Sequence, residues 1–339
     1  MRQGVLMDEI RRIADAVLYE GYVLWPYTRS ATKNQKRWTF GGVYPPAHSA
    51  AHPDDPARMR TECLVQAKPT DTVDISVRFL HVVQRQVTRA THSGLEPVDE
   101  LWVSDKRYLS WDEATERQIV ATSIPIGELQ NTHRVAISIQ GGSAGEQLVS
   151  DEQQRAGALV RSWAPLEGDC EVFARQVCPG VFRLCVEIHN ATAWQGKSRD
   201  EALRQTFVST HTALCTSGQF VSATDPPGEL AEQTQQLANE GTWPVLVGEQ
   251  GEHHRMLSSP IILSDYPRVA PESLGDLFDG GEIDSLLILN ILALTDSEKA
   301  EMRDSDPRAR EILDRVSSMS AEELMRLHGA IREFAVVRP

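Results

Sequence analysis

Val73-Asp74-Ile75-Ser76-Val77-Arg78-Phe79 alternates apolar and polar side chains without a break. Successive side chains of a strand point to opposite faces, so this period predicts a strand with one buried face. The alternation slips at Leu80 and resumes through Val87, which predicts a bulge there. Outward from this stretch, the same reading predicts strands near 100–103, 116–124 and 132–140, the last carrying Val135, Ile137 and Ile139 on one face. A second group is predicted at 156–164, 170–178 and 181–189. Cys178-Pro179-Gly180-Val181 reads as a tight turn joining two of them, with Val172 and Val177 facing Phe182, Leu184 and Val186 across it. Residues 206–222, Trp243–Val247 and Pro260–Leu263 read as further extended segments. The Pro- and His-rich 45–56 and the Gly-, Ser- and Gln-rich 141–153 read as loops, the second mobile.

Helical signals lie mainly at the two ends. Ile10, Ile13, Ala14, Val17 and Leu18 form one apolar helix stripe. Ser198-x-x-Glu201 is a capping box before a short helix, and a polar helix is predicted over 228–239. Glu282 to Leu294 reads as a nearly all-apolar helix, and Thr295-x-x-Glu298, Asp306-Pro307 and Ser320-x-x-Glu323 are three successive helix starts. The predicted class is α+β: a mostly antiparallel β body, as a sandwich or open barrel-like sheets, over 1–275, and a short helical bundle over 276–339.

The chain has 339 residues and a formal net charge of −14, which disfavours nucleic acid and anionic lipid as partners. No apolar run approaches the ~20 residues that span a bilayer, and Met1 to Ile10 contains no apolar secretory core, so a cytoplasmic protein without membrane insertion is expected. The five cysteines form no Cys-x-x-Cys pair and read as reduced, mostly buried thiols.

No phosphate-binding glycine loop, nucleophile elbow or His-Glu-x-x-His is present, and no cofactor or metal set is read from the motifs. His48 and His52 lie four apart, with Cys63 further on. On a helix both imidazoles would share a face, as zinc sites use, but Pro45, Pro46 and Pro53 argue for an exposed loop. His189 and His211 stand alone in strand-like runs, where hydrogen bonding within the fold is the ordinary role. The acids around Gly280-Gly281 suit the start of the following helix.

One segment inverts the chain's overall sign. Between Leu18 and Pro45 lie four of the six tyrosines, and Arg29, Lys33, Lys36 and Arg37 follow one another with no acid between them. Tyr22, Trp25, Tyr27, Arg29, Lys33, Asn34, Arg37 and Trp38 are therefore the candidate contacts for a protein partner, with edge-strand packing as the alternative role for the rings.

Tyr19-Glu20-Gly21-Tyr22-Val23-Leu24-Trp25-Pro26-Tyr27, Phe40-Gly41-Gly42-Val43-Tyr44-Pro45, Phe207-Val208-Ser209-Thr210-His211-Thr212, Thr242-Trp243-Pro244-Val245-Leu246-Val247-Gly248 and Gly275-Asp276-Leu277-Phe278-Asp279 are blocks of a second kind of signal. Together they resemble an uncharacterised bacterial family encoded beside the oxygen-tolerant, actinobacterial-type nickel–iron uptake hydrogenases. The resemblance runs nearly end to end and brings no catalytic residues with it. It implies a non-catalytic accessory protein in hydrogenase maturation or assembly, bound to a hydrogenase subunit or maturation factor. The alternative is a metal-handling protein or enzyme with a pocket built on His48, His52 and Cys63.

Overall fold

Thr72–Thr91 (β2) is a single strand of 20 residues and the spine of the molecule. The computed structural model describes residues 40–267 and the isolated positions 295, 296, 299, 300, 303, 310, 313, 314, 317 and 318. Residues 40–267 belong to one compact unit and the later positions to a second. The N-terminal helix, the aromatic–basic segment through residue 39 and the C-terminal bundle lie outside the described residues. Of the last, only separate helical positions such as Asp296, Arg303 and Leu313 are described.

The 40–267 unit is built mostly from antiparallel sheet. Arg58–Gln66 (β1), Gly94–Val98 (β3), Glu100–Val103 (β4), Lys106–Leu109 (β5) and Trp111–Pro125 (β6) precede His133–Ile139 (β7), Gly142–Val149 (β8) and Arg155–Trp163 (β9). Leu166–Cys178 (β10), Val181–Asn190 (β11), Val208–Thr216 (β12), Gln219–Phe220 (β13), Trp243–Leu246 (β14) and Arg255–Ser259 (β15) complete it. One sheet has the order β13-β1-β11-β10-β7; the other runs β14-β15-β12-β2-β9-β8, with β6 and β3 also on β2. Their facing sides share one core. Val73, Ile75, Val77 and Phe79 of β2 meet Cys63 and Val65 of β1, Cys170 and Val172 of β10, and Leu184, Val186 and Ile188 of β11. Phe79 stacks on Phe207 with ring centroids 4.6 Å apart. This is a β-sandwich, in which residues of two inner faces interdigitate.

The slip at Leu80 has a different cause from a bulge in β2. The strand continues unbroken against β6 from Ile75 to Arg85. Leu80 and Val82 instead pack on a second apolar cluster, with Tyr44, Ala202, Leu203 and Val208, so both faces of β2 are covered there. The register shift lies in the neighbour β12, between Val208 and His211, where Ser209 takes φ 52°. The displaced amides of Ser209 and Thr210 donate to the carbonyls of Phe40 and Gly41, at 3.2 and 2.9 Å.

Beyond Gln84, β2 leaves the sandwich and pairs with β9 and β3. A small core of Val87, Leu101, Val103, Leu148 and Leu159 holds this extension together. Residues 141–153, expected as a loop, contain strand β8. It pairs along one edge with β9 and is exposed at nearly every position, so it carries no burial alternation to read. The strand expected at Pro260–Leu263 is β15, five residues earlier; Pro260 has no amide hydrogen to extend the ladder and follows its end. The helix expected over 228–239 is a 3-10 turn, Gly228–Leu230, followed by the short helix Ala231–Gln235. The capping box at Ser198 and Glu201 forms as expected and opens the helix Arg199–Leu203.

Candidate functional site

None of the eight aromatic–basic residues named above, Tyr22 through Trp38, lies among the described residues. The alternative set can be placed. Pro45–Pro56 is not simply a loop: Pro46–Ser49 forms a helical turn, and the His52 amide donates to the His48 carbonyl at 3.0 Å. Proline is tolerated in a first helical turn, where its missing amide has no partner to lose. The turn brings the two imidazoles together, with centroids 4.4 Å apart. Cys63 does not join them. It sits on the inner face of β1, opposite Leu184, and burial pushes its thiol well above the ordinary range.

His48 is instead the centre of a closed ionic and aromatic cluster. It is 1% exposed, stacks on Tyr44 at 5.2 Å and meets the edge of Trp194 at 5.2 Å. Its Nε2 lies 2.9 Å from Asp55 Oδ2, and Arg199 donates to the same carboxylate through Nε at 3.0 Å and a terminal nitrogen at 3.1 Å. Arg199 also donates to the Tyr44 hydroxyl, at 2.5 Å. Burial alone would raise the Asp55 carboxyl, but the hydrogen bonds from Arg199 and His48 outweigh it and hold the group below its usual range. An ionised Asp55 fixes the Nε2 proton on His48. Nδ1 then has no hydrogen-bond partner, nor has Nε1 of Trp194. The cluster fastens the 44–55 segment to the helix at Arg199.

A second group lies on the outer face of the five-stranded sheet. Among the described residues, Glu171, Glu187 and His189 are the set whose potential ligand atoms all fall within 4.8 Å of one another. The register explains this. Glu187 and His189 are two apart on β11 and share a face; Glu171 lies directly opposite Glu187, and Asp169 directly opposite His189. Asp169 Oδ1 is 3.1 Å from His189 Nδ1, and Arg134 donates to Asp169 Oδ2 at 2.6 Å. From β1, Arg60 lies 3.0 Å from Glu187 and also bonds Glu62, while Arg58 pairs with Glu240 at 2.6 Å. The sequence reading gave His189 a lone structural role and passed over both glutamates. The usable signal was Glu-x-His at 187–189, with Glu171 at the mirrored place across the Cys178–Val181 turn.

Cys170 and Cys185 lie on opposite faces of this sheet, with burial pushing both thiols up to about 12. Neither offers a ready thiolate.

No helix among the described residues is long and apolar enough to cross a membrane. No known protein family matches the chain, and no curated protein is significantly similar to it.

Proposed function

We propose that this chain is a non-catalytic accessory protein that binds a protein partner in the maturation or assembly of a nickel–iron hydrogenase. The partner class rests on the family resemblance of the sequence blocks. The structural observation supporting a binding role is a set of exposed apolar side chains gathered about Pro260. Phe40 is 50% exposed, Trp243 45% and Ile262 71%. They are neighbours by connectivity. A Cβ on Gly41 would lie 2.6 Å from the Pro260 ring, Trp243 pairs with Ser259, and Ile262 is two residues beyond Pro260. Large apolar groups left in water at one place are what a protein interface buries, and aromatic anchors dominate such interfaces. In the sequence, Phe40 stands two residues after Trp38, the last of the aromatic–basic candidates.

The test is co-purification of the tagged chain with hydrogenase subunits and maturation factors. Capture of one of them is expected, with at least tenfold weaker binding after Phe40→Ala with Ile262→Glu, or after Trp25→Ala with Arg37→Glu. Capture that both double variants leave unchanged would remove these residues from the interface. Failure to capture any hydrogenase component would remove the proposed context.

A further inference from the structure

We propose that Glu171, Glu187 and His189 form a binding site for a divalent first-row transition-metal ion, separate from the partner-binding surface and from the His48–His52 pair. The first support is geometric. His189 Nε2 lies 3.5 Å from Glu187 Oε2, and Glu171 completes a triangle within 4.8 Å. Ligands about 2.0–2.1 Å from a tetrahedral zinc ion are separated by about 3.3 Å. Three protein ligands leave one position for water or an incoming group.

The second support is the state of Glu187. The residue is 9% exposed, and a buried carboxylate is ordinarily hydrogen-bonded. Arg60 and Arg58 face its Oε1, at 3.0 and 3.9 Å. Its Oε2 lies 3.5 Å from the His189 Nε2, too far for a good hydrogen bond. Glu171, the cross-strand neighbour, receives nothing nearer than the Arg134 guanidinium at 3.6 Å. Two carboxylates placed directly opposite on adjacent strands repel, and a cation between them reverses the sign of that interaction.

Charge balance points the same way. The connected network contains the carboxylates of Glu62, Asp169, Glu171, Glu187 and Glu240 against the guanidiniums of Arg58, Arg60 and Arg134. With His189 neutral, the form that ligates a metal, two negative charges remain unmatched, the complement of one divalent ion. The other ring nitrogen is also suited to the role. Nδ1 of His189 donates to Asp169, leaving the Nε2 lone pair for the metal; metal-bound histidines are commonly oriented by a carboxylate in this way. An imidazole with two carboxylates favours zinc and its first-row neighbours over calcium or magnesium, which prefer all-oxygen sites.

Isothermal titration of the chelator-stripped full chain with zinc chloride, repeated with calcium chloride, tests the assignment. One zinc ion per chain is expected, with calcium at least tenfold weaker. Glu171→Gln and His189→Ala should each weaken zinc binding at least tenfold. Asp169→Asn, which acts by positioning the imidazole, should weaken it 10- to 100-fold. His48→Ala with His52→Ala should leave the titration unchanged. Circular dichroism on each variant separates loss of the site from loss of the fold. Glu171→Gln, half-exposed and free of hydrogen bonds to donors within the sheet, is the variant to retain native structure. No zinc binding, equal affinity for calcium, or zinc binding insensitive to Glu171→Gln in a folded chain would each overturn the proposal.

Discussion

Asp169 and His189 face each other across β10 and β11, with Oδ1 3.1 Å from Nδ1. The pair is part of the sheet's outer face, so backbone register, not a flexible loop, sets the imidazole's position. Burial would raise the Asp169 carboxyl, but hydrogen bonds from Arg134 and His189 prevail and keep it below the usual range. A depressed carboxyl contributes stability above its unfolded value, 3.8, and loses that contribution as pH falls through the folded value. Asp169→Asn should cost about 1–2 kcal/mol at neutral pH, read from urea midpoints, and should flatten the loss of stability below about pH 4.

Arg199 links three groups: Asp55, Tyr44 and, through Asp55, His48. Arg199→Ala should destabilise the native state by about 1–3 kcal/mol, because it strips donors from a carboxylate that is mostly covered. Arg199→Lys should recover only part of this loss, since an ammonium cannot reproduce the forked contact. Thermal unfolding of the three proteins measures the difference. Equal midpoints for all three would show that the cluster does not fasten the segment.

His81 and His211 are both lowered to about 4, in each case chiefly by burial that disfavours the charged ring. The unfolded chain takes up these protons near pH 6.5 while the folded chain excludes them until about pH 4. Stability from this source is therefore complete above pH 6.5 and is lost as pH falls toward 4. Each histidine should remove on the order of 1 kcal/mol of stability between pH 7.5 and 5.5. Chemical denaturation at the two pH values tests this, and His211→Asn should show a shallower dependence than the parent chain.

Two glycines should respond differently to alanine. Gly168 lies opposite Asn190, where a Cβ would come 2.2 Å from the His189 carbonyl oxygen and 2.8 Å from the Phe207 ring. Gly180 occupies the β10–β11 turn at φ +74° with open space around it. Gly168→Ala should cost about 1–3 kcal/mol by overpacking, and Gly180→Ala about 1–2 kcal/mol for the left-handed conformation alone. Gly168→Ala should also weaken any zinc binding at His189, whereas Gly180→Ala should not.

The thiols should divide by burial. Cys63 and Cys170 are sequestered between the sheets, and Cys185 is covered on the outer face. Cys215 is partly covered, with burial pushing its thiol up to about 11. Cys178, at the end of β10 beside the turn, is also partly exposed. Iodoacetamide on the native chain should therefore label Cys178 first, with the rest reacting on unfolding; peptide mapping by mass spectrometry reads the order. Early labelling of Cys63 would contradict the placement of β1 in the core.

The strand content was legible wherever one face of a strand is buried and the other is not. Val135 to Ile139 belongs to this class. In Val73 to Phe79 the polar residues Ser76 and Arg78 are buried as well, and the strand was legible because apolar and polar side chains still alternate. The Cys178–Val181 turn and the Ser198–Glu201 capping box were legible from local chemistry. β8 was missed because an exposed edge strand needs no apolar alternation. The two-sided burial at Leu80 was misread as a bulge because periodicity reports how many faces are covered, not which neighbour covers them. β15 was displaced because apolar Pro260–Leu263 looks more strand-like than Arg255–Ser259, whereas pairing with β12 and β14 decides the ladder.

The candidate ionic sites follow the same division. Sequence spacing alone determined that Glu187 and His189 share a face once they lie on a strand, and that His48 and His52 could meet on a helical turn. Only the tertiary structure decided that Glu171 and Asp169 stand opposite them, that Cys63 faces the core, and that Asp55 and Arg199, 144 residues apart, close around His48. The physical reason is range: side-chain period is written into the local backbone, whereas strand register and the burial of charge depend on contacts between segments far apart in the chain.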